Sequence, residues 1–181
     1  MKIKIKVPAT TANLGPGFDC LGVALGLYNE FEVELLKIKD EVLKISVVGE
    51  GAEVIERDGR NIVYQAIKRV CDIYRKPVPR ISLKIISRIP VARGLGSSAS
   101  ARVAGVVIGN IFCGGKFSQD ELINIATELE GHPDNVVPAM VGGLCVSRVR
   151  SSEVKNIINL QVKYIKLMMP RDLRALILVP K

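Results

Sequence analysis

The stretch Pro90-Val91-Ala92-Arg93-Gly94-Leu95-Gly96-Ser97-Ser98-Ala99-Ser100 decides how the rest of the chain is read. A strand-like run, Arg80 to Ile89, leads into it; there Ile81, Leu83 and Ile85 alternate with Ser82, Lys84 and Ile86. A small-residue helical run, Ala99 to Ile111, leads out. Gly94 and Gly96 let the backbone turn tightly and approach a ligand closely. Ser97 and Ser98 fall where the helix begins, and a helix start offers unpaired N–H groups and the positive end of the dipole. Together these features make an anion site, best suited to a phosphate. A plain strand-to-helix connector with a serine N-cap would use the same residues. No Lys follows the second glycine, so the Walker pattern is not met. The third glycine of the dinucleotide fingerprint is missing as well.

The totals bound what the chain can be. Its 181 residues suffice for one domain with a sizeable core, or for part of a larger protein. Apolar residues make up 48%, which fits a folded chain rather than a disordered one. With no Trp and few aromatics, the core must be built from Ile, Val, Leu and Ala. Lys2, Lys4 and Lys6 interrupt the first apolar residues, so no secretory leader is expected, and no run of about 18 apolar residues suggests a membrane span. A cytoplasmic protein with no membrane partner is the expectation. The net charge of +8 suits an anionic ligand. Nucleic acid is not the expected partner, because the basic residues are scattered and no module signature is present. Cys20, Cys71, Cys113 and Cys145 form no C-x-x-C pair and read as buried thiols. His132 is the single histidine, which argues against a histidine-based zinc site or a Ser-His-Asp triad.

Residues 2–8 alternate Lys with Ile or Val and read as a strand ended by Pro8. Leu21 to Leu27 is an apolar, glycine-containing run, and Tyr28 to Leu36 and Val42 to Val48 read as strands. Asn61 to Arg75 has helical spacing and is stopped by Pro77 and Pro79. Ser118 and Glu121 form a capping box for a helix from Gln119 to about Glu130. Val136 to Val141 is a short turn or helix before a strand from Leu144 to Val149. Ser151 to Asn159 reads as a polar turn, with further strands at Leu160 to Leu167 and Leu173 to Val179. The order predicts an α+β fold, a mixed and mostly antiparallel sheet with helices on one face.

Two other stretches carry chemistry. Pro8 to Asp19 is a turn-rich loop with Asn13 and Asp19, which could converge on a small polar ligand; an Asx-turn loop satisfying its own backbone accounts for it equally. Glu130, Asp134 and Asn135 lie at a helix end. Carboxylates near a phosphate loop are what Mg²⁺ requires, although helix-terminal acids are ordinarily solvated or capping.

Taken together, the three stretches resemble the signature motifs of the GHMP kinases (galacto-, homoserine, mevalonate and phosphomevalonate kinases). Pro90 to Ser100 is similar to the family's ATP-phosphate loop. Pro8 to Asp19, and Glu130 to Ala139 followed by Gly142-Gly143, are most similar to the homoserine branch, and Asn61-Ile62-Val63-Tyr64 resembles the segment bordering adenine. The resemblance implies the fold of the family's N-terminal ATP-binding domain across residues 1–181, a fold also seen in ribosomal proteins. It implies transfer of the γ-phosphoryl group of ATP to the side-chain hydroxyl of L-homoserine, a step of threonine biosynthesis. Asn61, Pro90, Arg93, Gly94, Leu95, Gly96, Ser97, Ser98, Ala99 and Ser100 would bind ATP, and Ser98 and Glu130 would hold Mg²⁺. Asn13, Asp19 and His132 would bind the amino acid. Asn135 would position the acceptor hydroxyl, and Asp134 matches the catalytic aspartate of mevalonate kinase-like relatives. The family's C-terminal domain, with a third glycine-rich motif and arginines for the substrate carboxylate, is not expected within these residues. The sheet is accordingly expected to expose an apolar face suited to a homodimer. Two alternatives stand: a family kinase with another acceptor such as mevalonate, or a non-catalytic nucleotide-binding module.

Overall fold

The computed structural model describes residues 1–36, 42–154, 157–170, 172 and 174–176. Its spine is the long strand β2 (Leu21–Leu35). The first strand, β1 (Lys2–Ala12), runs antiparallel along nearly all of it. On its other side β2 pairs with β4 (Ile81–Ser87) through its C-terminal half and with β5 (Leu144–Val154) through Leu21 to Val23. Strand β3 (Leu43–Gly49) joins β4 in parallel, and β6 (Ile157–Leu167) closes a hairpin with β5. The sheet is therefore mixed and mostly antiparallel, and with α1 (Ile62–Ile73), α2 (Ser97–Cys113), α3 (Gln119–Glu130) and α4 (Val136–Val141) it forms the expected α+β fold.

Strand alternation assigns the two faces. Ile3 and Val7 of β1, Phe31 and Val33 of β2, Ile45 and Val47 of β3, and Ile81, Leu83 and Ile85 of β4 point to one side. There they form one core with Val63, Ala66, Ile67 and Val70 of α1 and Ala99, Val103, Ala104 and Val106 of α2. The opposite side carries a ladder of ions. Lys2 pairs with Glu34, Lys4 with Glu30 and Glu32, and Lys6 and Arg88 with Glu30. The expected apolar outer face is thus absent from this half of the sheet; exposed apolar side chains such as Ile165 and Leu167 sit on β6. Among the described residues no helix is long and apolar enough to cross a membrane.

Several expectations need correction. Pro8 does not end β1; the ladder passes it and shifts register between Pro8 and Thr10, where the missing N–H is tolerated at an irregularity. The two segments expected at 21–27 and 28–36 form one strand, Leu21–Leu35. The polar turn expected over 151–159 is mostly hairpin, with Val154 paired to Ile157. Within the expected strand 173–179, residues 174–176 have no strand structure and 173 and 177–179 lie outside the described residues. Cys71, Cys113 and Cys145 are buried, whereas Cys20 is only half-buried. Burial and the neighbouring Cys113 push the Cys71 thiol up to about 12, so it is inert at neutral pH.

A Cβ on Gly22 would lie 1.8 Å from the Asp134 carbonyl oxygen, so β2 and the α3–α4 junction approach too closely for any side chain. Gly22→Ala should destabilise the protein by about 2 kcal/mol or more in chemical denaturation. The Glu30 carboxylate is held at about 2, against an ordinary 4.5, first by Lys4 and then by Arg88 and Lys6. Its folded value lies below its unfolded one, so this stabilisation is complete above pH 4.5 and is lost as pH falls towards 2. Thermal melts across that window should fall more steeply for the wild type than for Glu30→Gln.

Candidate active site

The start of α2 differs from the starts of the other two long helices. Asn61 caps α1, its Oδ1 accepting from the N–H groups of Val63 (3.0 Å) and Tyr64 (3.4 Å). Ser118 caps α3 in a full capping box with Glu121. Helix α2 instead begins on Gly96 at φ 64°, with no side-chain cap. Its first N–H groups are left for a ligand. Gly96 tolerates no substitute, because a Cβ there would meet Thr10 Oγ1 at 2.0 Å and Asn135 Oδ1 at 3.2 Å. The loop before it is tied to β1 where the Thr10 N–H donates to the Leu95 carbonyl (3.1 Å).

This helix start forms one wall of a cleft of about 480 Å³. Pro90, Arg93, Gly94, Leu95, Gly96, Ser97 and Ser98 line it, along with Glu130 and Asn135. Val54, Ile55, Ile62 and Val63 line it too, alongside Glu56, Arg60 and Asn61. The lining therefore combines the amides of a helix start with a group of apolar side chains, the mixture a nucleotide needs. The Ser98 hydroxyl donates to one Glu130 carboxylate oxygen, and Arg102 pairs with the other. Asn135 is fixed on both sides: its Oδ1 accepts from Thr10 Oγ1 (2.8 Å) and its Nδ2 donates to Asp134 Oδ1 (3.2 Å).

Some expected site residues stand elsewhere. Ala99 and Ser100 are fully buried and do not line the cleft; the Ser100 hydroxyl donates to the Ser97 carbonyl (2.8 Å). The Asn61 amide lies in the cleft wall but is committed to its helix cap and, through Nδ2, to the Glu56 carbonyl (2.6 Å). Asp134 is 1% exposed and lies outside the cleft, its Oδ1 shared by the Asn135 N–H (2.7 Å), the Asn135 amide and His132. Three donors hold it facing inwards, where it orients Asn135 and His132. Asn13 and Asp19 are exposed on loop 13–20, outside the cleft lining, at positive φ, and Asn13 Oδ1 accepts the Asp19 N–H (3.0 Å). The self-satisfying turn is therefore real, and it leaves the Asp19 carboxylate without a partner among the described residues. Sequence reasoning missed Thr10, Asn29 and Arg102. Arg102 was legible, since it falls four residues after Ser98 and so on the same helix face.

The profile described as GHMP kinases N terminal domain matches residues 61–143, the span holding the cleft wall, the glycine loop and the Glu130–Asn135 segment. Residues 61–143 thus match the GHMP kinase N-terminal domain, and the chain has the fold of the homoserine kinases it resembles. Among individual proteins, a homoserine kinase of Carboxydothermus hydrogenoformans is 45% identical over 177 residues, which cover 98% of this chain and 54% of that protein. The crystal structure of homoserine kinase from Cytophaga hutchinsonii matches with a TM-score of 0.73 at 29% identity, over 93% of this chain and 52% of that one. Mevalonate kinase of Methanococcus jannaschii, 18% identical with a TM-score of 0.67, shares the fold over 93% of this chain and 56% of its own. The chain spans about half the length of the curated relatives it matches.

Gly96→Ala should cost about 1–2 kcal/mol from the left-handed backbone alone, with the clash against Thr10 added. It should be less stable in urea than Gly94→Ala, which has open space for its Cβ.

Proposed function

We propose that the chain supplies the ATP-binding and acceptor-positioning groups of a homoserine kinase, which transfers the γ-phosphoryl group of ATP to the side-chain hydroxyl of L-homoserine. The observation that carries this reading is the uncapped start of α2, set in a cleft that Val54, Ile55, Ile62 and Val63 also line. The relatives named above support the acceptor. On this reading the adenine lies between Ile55, Ile62 and Val63, and the phosphates meet the N–H groups of Gly96 to Ala99.

Ser98 and Glu130 fit Mg²⁺. Two hard oxygens sit side by side at the phosphate end, and Arg102 steadies the carboxylate. Among the described residues no group of three or more acidic, His or Cys ligands is present. The chain thus offers only part of a coordination shell, as suits an ion that keeps waters and phosphate oxygens. When bound, that ion neutralises charge on the phosphates. Transfer of a phosphoryl group asks the protein mainly for alignment and charge stabilisation. Asn135, with its amide orientation set by Thr10 and Asp134, holds the acceptor hydroxyl beside Gly96. The unpaired Asp19 carboxylate attracts the acceptor's ammonium group, and His132, joined to Asp134, lies on the same loop as Asn135.

Titration calorimetry with ADP tests the nucleotide site: binding should tighten with Mg²⁺ in the wild type and lose that dependence in Glu130→Gln, and Ser98→Ala should bind about tenfold more weakly. An acceptor panel followed by ADP release, run on residues 1–181 joined to the C-terminal half that the longer relatives carry, should give turnover with L-homoserine and none with mevalonate, whereas residues 1–181 alone should turn over weakly or not at all. The reverse preference would overturn the acceptor assignment.

A further inference from the structure

The glycine loop is held at both ends by one side chain that belongs to neither flank. Asn29 lies on β2, 3% exposed, on the inward face shared with Phe31 and Val33. Its Oδ1 accepts from the N–H groups of Arg88 (2.8 Å) and Ile89 (3.0 Å), where β4 gives way to Pro90. Its Nδ2 donates to Ser100 Oγ (3.1 Å), and that hydroxyl in turn donates to the Ser97 carbonyl (2.8 Å) in the first turn of α2. One amide therefore fixes where the chain leaves the sheet and where the helix starts, and with them the spacing of the amides between. No other residue type of this size offers an acceptor and a donor at the same two points. A hydrocarbon here would leave two buried N–H groups unpaired.

We propose that Asn29 is a positioning residue for phosphate binding: through Arg88, Ile89 and Ser100 it sets the opening of the 90–97 loop so that the helix-start amides converge on the nucleotide's phosphates. The proposal rests on the nucleotide reading above. It requires that loosening Asn29 or Ser100 weaken recognition of phosphates and leave recognition of the adenine end alone, because Ile55, Ile62 and Val63 are not tied to this network.

The test is calorimetric titration of the protein with Mg·ADP and, separately, with adenosine, alongside thermal melts. Asn29→Ala also strips partners from the Arg88 and Ile89 N–H groups and so costs fold stability. Ser100→Ala is close to equal in volume, breaks only the helix-side arm, and keeps the test decisive if the first variant does not fold. Each folded variant should bind ADP about fivefold more weakly while its adenosine affinity stays within about twofold of the wild type, the loss expected from one hydrogen bond's worth of preorganisation. A merely structural role would lower the melting temperature and leave the ratio of the two affinities unchanged, and that result overturns the proposal. Absence of ADP binding by the wild type overturns the nucleotide reading and this inference with it; wild-type binding with an undisturbed ratio in Ser100→Ala overturns this inference alone.

Discussion

The arrangement depends on a hydrogen bond that is not made. Helices α1 and α3 begin on Asn61 and Ser118, whose side chains satisfy their first N–H groups. Helix α2 begins on a left-handed glycine and satisfies none of its own this way. Unpaired amides at a helix start carry a concentrated positive potential, and the chain keeps them beside an open cleft rather than in the core. The serines after Gly96 are turned to other uses: Ser98 to Glu130, and Ser100 to the first-turn carbonyl.

An uncapped helix start is useful only if it is held still. Strand β2 does much of that. It pairs with β1 on one side and with both β4 and β5 on the other, and so joins the strand that carries Thr10 to the strand that leads into the glycine loop. Gly22 lets the Asp134 backbone come within contact of the sheet, and Asn29 ties β4 to α2. Thr10, on the neighbouring strand, holds both the Leu95 carbonyl and the Asn135 amide. The phosphate end and the acceptor end of the proposed site are thus mounted on the same two strands, with Gly96 and Asn135 in direct proximity.

Much of this was legible in the sequence. The glycine loop, the capping box at Ser118, the helical spacing after Asn61 and the alternation of β4 follow local rules, and the structure has them where those rules put them. Long-range geometry decided the rest. Gly22 and Gly26 break the alternation of β2, so one strand reads as two segments, although Gly22 is required by the close approach of the Asp134 backbone. The serines of the β5–β6 hairpin look like a turn because nothing local reveals the pairing of Val154 with Ile157. Asp134 and Asn135 are adjacent in sequence and equally polar, yet one is buried against three donors and the other lines the cleft; only the fold separates them. Asn29 left a faint trace, a polar residue at an inward position of an otherwise apolar face.

The central claim is that the nucleotide's phosphates lie on the amides at the start of α2. The most direct measurement is the backbone amide NMR spectrum of the protein titrated with Mg·ADP and with adenosine. The account predicts that the amides of Gly94 to Ala99 shift strongly with Mg·ADP and little with adenosine, while residues around Ile55 and Val63 respond to both. Saturable ADP binding that leaves the amides of Gly94 to Ala99 unmoved would contradict it.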